Sequence, residues 1–367
     1  MMKKFSLMFA TAAIVAGGML TASCSDSDNE SSKSVVVKEI VFDQKRTVKL
    51  TANVDTKFTI GNVSKTGKVV EFEVNGNTAT IKAEVEGYVP QEATIDFSKN
   101  QGAAAIQFEM IKESTNLVAQ EDAKGNSVTN DAANQQATGV ASAIEVPADV
   151  VITGNTTDPF SITAFVPAPE VVDIDDVKPN VELSAPVLGF ECDPDGAQFD
   201  KPVTISAILP GSEGFDIVLP GAKNVVREGD KISFTKDHFS NQLLQFPIKI
   251  VSIKGGAKQI YNATLKATGG SLDVTYKENA GFEGALSGYW YDIAVSLFGS
   301  PLQQVEKTIT VNYEGQGSVN VVIEQAYSDV TVVCGSKTTT VRYWGEITAT
   351  ATGMADQGHS AGSANAN

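Results

Sequence analysis

From residue 35 onward the chain repeats short runs of β-branched and aromatic residues that stop at Gly, Asn or Pro, a pattern that favours antiparallel sheet over any other architecture. Phe72 and Val74, then Ala79, Ile81 and Ala83, alternate with polar neighbours, so one face of each run is set toward a core. Runs at 35–42, 47–54, 69–74, 78–85 and 104–111 predict a first small module over residues 35–112. Within it Asn75-Gly76 predicts a tight hairpin between the flanking runs, because a type I′ turn needs positive φ at both central positions. Residues 113–138 change to Asn, Gln, Ala, Asp and Ser with few large apolar side chains, which reads as a linker. A second β module is expected over 139–253 and a third, rich in threonine, over 257–352. In the third, short meander strands at 308–313, 318–323, 330–334, 338–344 and 346–350 turn at residues 314–317 and at Gly335-Ser336, and residues 353–367 form a small, polar, frayed tail.

Composition fits a folded multi-module chain: 42% of the 367 residues are hydrophobic and 20% charged. Acidic residues outnumber basic ones 44 to 28, a formal charge of −16, and such a surface repels phosphate backbones, so nucleic acid is not expected as a partner. After the first twenty-odd residues no apolar run approaches the ~20 residues of a membrane helix.

The amino terminus is the most specific signal. Lys3 and Lys4 precede an almost uncharged apolar stretch from Phe5 to Leu20, and Thr21-Ala22-Ser23 brings small residues up to Cys24, as in a secretory signal peptide over residues 1–23. The segment resembles a bacterial lipoprotein signal, although Thr21 stands where such signals carry Leu and Leu20 lies one position further back. The resemblance implies that the Cys24 thiol carries a diacylglycerol and anchors the protein in outer-membrane lipid, several acyl chains binding firmly where one binds marginally. The acidic, flexible tether over residues 24–34 (Ser25-Asp26-Ser27-Asp28) is similar to the export signal of Bacteroidetes surface lipoproteins, which implies display on the outer face of the outer membrane.

Few residues are available for metal or nucleophilic chemistry. With Cys24 lipidated, Cys192 and Cys334 remain, either as a disulfide pair in an oxidising compartment or as two separate buried thiols. His238 and His359 are too few for a zinc site of the usual His/Cys kind, and His238 reads as a structural imidazole at a strand end. Asp193-Pro194-Asp195-Gly196 has calcium-like oxygen ligands, but Thr204 occupies the position where an EF-hand needs Glu, so a plain turn is expected. Asp173, Asp175 and Asp176 read as a solvated loop face. No metal, cofactor or catalytic residue is indicated.

Two internal resemblances refine the modules. Residues 81–90, ending a strand at Gly87-Tyr88, followed by Ala93-Thr94-Ile95-Asp96, are similar to the PEGA-type surface-layer module, which implies a spacer or adhesion role. Pro194-Asp195-Gly196, then Phe199-Asp200-Lys201-Pro202-Val203, and later His238-Phe239-Ser240, resemble the β-sandwich shared by ankyrins, netrin receptors and tight-junction scaffold proteins, which implies protein binding without reaction. There Phe199 is expected to plug the sandwich end and Pro202 to stand at a strand start.

The aromatic clusters Tyr289-Trp290-Tyr291 and Tyr343-Trp344 are candidate stacking faces for sugars, or packing surfaces between modules. The expected fold class is all-β, with two or three antiparallel β-sandwich or Ig-like modules in series after a lipoprotein signal peptide. The expected function is that of a lipid-anchored cell-surface binding or adhesion protein, non-catalytic, whose partner is an extracellular protein or glycan. The alternatives are a carbohydrate-binding accessory lipoprotein and, third, a pore-forming-toxin-like protein built from the Thr-rich strands.

Overall fold

The computed structural model describes residues 35–43, 45–97, 103–172 and 177–355. The expected signal peptide, Cys24, the expected acidic tether, Asp173, Asp175, Asp176 and His359 lie outside the described residues. In chain order the first elements are β1 (Val36–Phe42), β2 (Arg46–Ile60), β3 (Val63–Val74), β4 (Thr78–Glu84), β5 (Gln91–Asp96) and β6 (Ala103–Phe108). Then come α1 (Gln120–Ala123), β7 (Ser127–Thr129), α2 (Ala132–Thr138), β8 (Ala141–Glu145), β9 (Ile152–Thr153), β10 (Ser161–Phe165), β11 (Glu182–Asp193) and β12 (Gln198–Ile208). The last are β13 (Lys223–Glu228), β14 (Lys231–His238), β15 (Gln242–Ala267), β16 (Ser271–Ala280), β17 (Phe282–Glu283), α3 (Tyr289–Phe298), β18 (Gln303–Glu314), β19 (Gly317–Cys334) and β20 (Lys337–Ala355). The chain is all-β, its sheets antiparallel except for the β2–β6 pair.

The first unit is the sheet β3-β2-β4-β5, with β6 parallel to β2. Alternation works as expected: Val48, Leu50, Phe58, Phe72, Ile81, Ile95, Ile106 and Phe108 share one core. Two expectations for this unit are corrected. Asn75-Gly76 makes no hairpin, since β3 and β4 lie on opposite sides of β2. The two-residue turn is instead Gly61-Asn62, with Ile60 facing Val63 and Gly61 at φ 56°. The run at 35–42 also leaves this unit, because β1 pairs with β18, more than 260 residues away in sequence.

The central unit packs β13-β14-β12-β8-β7, with β9 on β12, against the near half of β10-β11-β15-β19-β20-β17. Phe160, Phe199 and Phe239 close one end, with ring centroids 4.8–6.0 Å apart and edge-on, as expected of Phe199. Such pairs each add about 0.5–1.5 kcal/mol beyond burial. Pro202 lies inside β12 rather than at its start, at the register shift between Gln198 and Val203 where a missing N–H costs no ladder bond.

Residues 113–138 are built into this unit rather than linking two others. Ala123 and Val128 lie in its core, and α2 is capped by the Asp131 side chain, which accepts from the Asn134 amide. Asn134 is 1% exposed, and its amide bonds the Lys112 carbonyl and both backbone groups of Ala164. Polar composition had the look of a linker because here hydrogen bonds, not apolar bulk, tie the segment down.

The third unit lays β1-β18-β16 over the far halves of β15, β19 and β20, around Val274, Tyr276, Ile309, Val311, Val319, Val321 and Ile323. The expected boundary at 253–257 does not exist: β15 runs through it and stays paired with β19 from Lys249 to Ala267. The short runs at 318–323 and 330–334 merge into β19, and those at 338–344 and 346–350 into β20, which reaches Ala355 inside the expected tail. Of these turns, Gly335-Ser336 is a two-residue hairpin with Cys334 facing Lys337, whereas Gly315-Gln316 carries the chain from one layer to the other. Where the ribbon passes between cores, residues 254–259 are all exposed, and register shifts fall at Gln259/Tyr261 and Gln325/Tyr327. The backbone ladder continues there although residues 254–259 face neither hydrophobic core.

Candidate functional site

The cluster Tyr289-Trp290-Tyr291 opens a helix, not a strand. Ile293, Ala294, Leu297 and Phe298 recur at helical spacing and face the central core. The far end of α3 must come close to the first unit: the Gln107 amide donates to the Gly299 carbonyl at 2.8 Å, and any side chain at Gly299, whose φ is 86°, would collide with the Ala105 carbonyl. Tyr291 belongs to that contact, its hydroxyl bonded to the Gln107 side chain at 3.2–3.3 Å.

Tyr289 and Trp290 are half-buried on the other side. Trp290 packs on Phe215 at 5.2 Å, and Tyr289 meets Phe215 and Phe246 at 5.8 and 5.1 Å. These rings edge an open cleft of about 470 Å³ shared with Gly211, Ser287, Asp292 and Lys337. Asp292 is raised to about 6, first by burial and then by the charge of Glu109. Burial likewise pushes the Tyr289 phenol up to about 12, so it stays a hydrogen-bond donor. The cleft therefore offers aromatic surface beside neutral and charged hydrogen-bonding groups.

Tyr343 and Trp344, in contrast, are only 4% and 3% exposed, so neither presents a free stacking face. Tyr343 packs on Phe298 at 5.1 Å; Trp344 meets Tyr327 at 5.7 Å and lies beneath the Lys258 ammonium. Adjacent residues on β20 both become buried because the β19–β20 register shifts beside them.

A second, more enclosed cavity of about 390 Å³ lies where all three units meet, lined among others by Ile106, Leu183, Glu278, Asn279, Phe298 and Gln325. Gln325 is satisfied: it accepts from the Asn279 amide and donates to the Asn279 and Gly345 carbonyls, clamping β16 to the long ribbon. Glu278 is 6% exposed and raised to about 7, chiefly by burial, against the opposing pull of the Lys307 charge and a hydrogen bond from the Ala103 amide. Sequence reasoning passed over Glu278, though its parity with the inward-facing Val274 and Tyr276 was a usable signal.

Cys192 and Cys334 lie in the same core as free thiols, pushed up to about 12 and about 11 by burial. His238 ends β14 and pairs with Asp237 at 2.8 Å. Residues 194–197 connect β11 to β12. Among the described residues no group of three His, Cys, Asp or Glu side chains is placed to hold a metal ion. Comparison with protein families, with curated proteins and with solved structures finds no match to this chain.

Proposed function

We propose that this is a lipid-anchored binding or adhesion protein of the cell exterior, held on the outer membrane through Cys24 and non-catalytic, with the α3 cleft as its contact surface for an extracellular protein or glycan. The observation that carries this reading is the half-buried pair Tyr289 and Trp290, braced against Phe215 at the edge of an open cleft. Aromatic rings held rigidly beside polar groups supply contact area at low entropic cost, which is what a binding surface needs. The volume of about 470 Å³ falls within the range of small-ligand sites.

Carbohydrate is the second reading, favoured by the neighbours of those rings. A pyranose has one apolar face for Trp290 and hydroxyls for Ser287, Asp292 and Lys337. Residues 25–367, tested on glycan and host-protein arrays beside the Trp290→Ala variant, decide between the two. A signal that falls at least tenfold in the variant supports the cleft, and the array that carries it names the ligand class. A blank pair of arrays, or signal indifferent to Trp290, refutes it.

A further inference from the structure

The position of β1 says which way such an anchored molecule stands. Resting on the Cys24 anchor proposed above, we infer that the free tip of the third unit faces the bilayer and the α3 cleft faces away from it, as the outermost binding surface. At that tip several strand ends coincide. Val36, the first residue of β1, pairs with Glu314, the last of β18. Gly317 pairs with both Ala267 and Ala355, and the Val35 carbonyl lies against Gly353 so closely that no side chain fits there. The opposite end of the ribbon is the Cys334–Lys337 turn, and Lys337 lines the cleft with Tyr289 and Trp290. The 18 residues of β19 run from one end to the other, about 55 Å at ~3.3 Å per residue.

The tether length then decides the orientation. Cys24 and Val36 are separated by 12 residue steps, which fully extended reach about 40 Å. An inverted molecule, cleft down, would hold Val36 about 55 Å or more above the surface, beyond the reach of its own anchor. Lying flat would press a strongly acidic chain against anionic headgroups, which repel it. Standing on the third unit satisfies both constraints. It also explains why the first strand of the chain joins the last unit: the anchor is then attached where the long ribbon ends.

Resonance energy transfer tests this with the full lipidated chain inserted into preformed phosphatidylethanolamine/phosphatidylglycerol vesicles carrying a headgroup-labelled acceptor lipid. A donor dye is placed at Gln316→Cys, exposed at the tip, or at Glu213→Cys, exposed near the opposite end, with a Förster radius shorter than the ribbon. The buried Cys192 and Cys334 set the background, measured on the unsubstituted chain. Transfer from position 316 should exceed that from position 213 several-fold, and Cys24→Ser should leave the protein unbound. Equal or reversed transfer, with binding that still requires Cys24, overturns the orientation alone. Failure to bind, or binding that survives Cys24→Ser, overturns the anchor and the orientation with it.

Discussion

Replacing Asn134 with alanine tests whether the segment over residues 113–138 is part of the central sandwich. The Asn134 amide oxygen accepts from the Ala164 amide at 3.0 Å and from Asn130 at 2.8 Å, and its nitrogen donates to the Ala164 and Lys112 carbonyls at 2.9 and 3.1 Å. Truncation leaves the Ala164 N–H and two carbonyls without these partners at a site 1% exposed to solvent. Each buried unpaired group costs about 1–3 kcal/mol, and partial rescue by water brings the expected sum to about 3–5 kcal/mol. That is a large share of the 5–15 kcal/mol by which folded proteins are usually stable, and corresponds to a fall in Tm of about 10 °C. Urea and thermal unfolding followed by circular dichroism measure it, with the exposed Gln136→Ala on the same helix as control, expected within about 0.5 kcal/mol of the parent. If Asn134→Ala is as stable as that control, the segment is only a connection and the hydrogen-bond reasoning fails.

Two further outcomes follow from the buried ionisable groups. Burial raises Glu278 to about 7 in the folded chain, against 4.5 unperturbed, so the folded state keeps a proton that the unfolded state releases. Its contribution is fully present below about pH 4.5 and lost as pH rises through 7, up to about 3 kcal/mol. Urea midpoints measured from pH 5 to 8 should therefore decline less steeply in Glu278→Gln than in the parent, and identical slopes would contradict the burial argument. Cys192 and Cys334 are buried and raised well above neutrality, so residues 25–367 should show no thiol reactive toward a neutral disulfide reagent when native and two in denaturant. Rapid labelling of the native protein, or no free thiol in the unfolded one, would overturn that assignment.

The period-two patterning was enough to read the all-β class and the inward faces at Phe72, Val74, Ala79, Ile81 and Ala83, because alternation reports which side of a strand is dry, whatever that strand pairs with. Phe199 at the sandwich end came from the β-sandwich resemblance, and the turn at Gly335-Ser336 from its residue types. Helix α3 escaped because Tyr289-Trp290-Tyr291 has the composition of a strand, and its helical repeat begins only at Ile293. Asn75-Gly76 misled because a favourable turn needs two strands free to pair, and β2 occupies the place between them.

What sequence alone determined, then, is local: strand faces, the Gly335-Ser336 turn and the charge balance. Which strands pair, and which aromatics are covered, were settled by tertiary structure. β1 joins β18 across the whole chain, β15, β19 and β20 each serve two cores, and Trp344 is buried while Trp290 stays half-open. The physical reason is that strand pairing uses backbone groups common to every residue. Partner choice therefore depends on how apolar faces close against one another in three dimensions, and no short stretch of sequence contains that information.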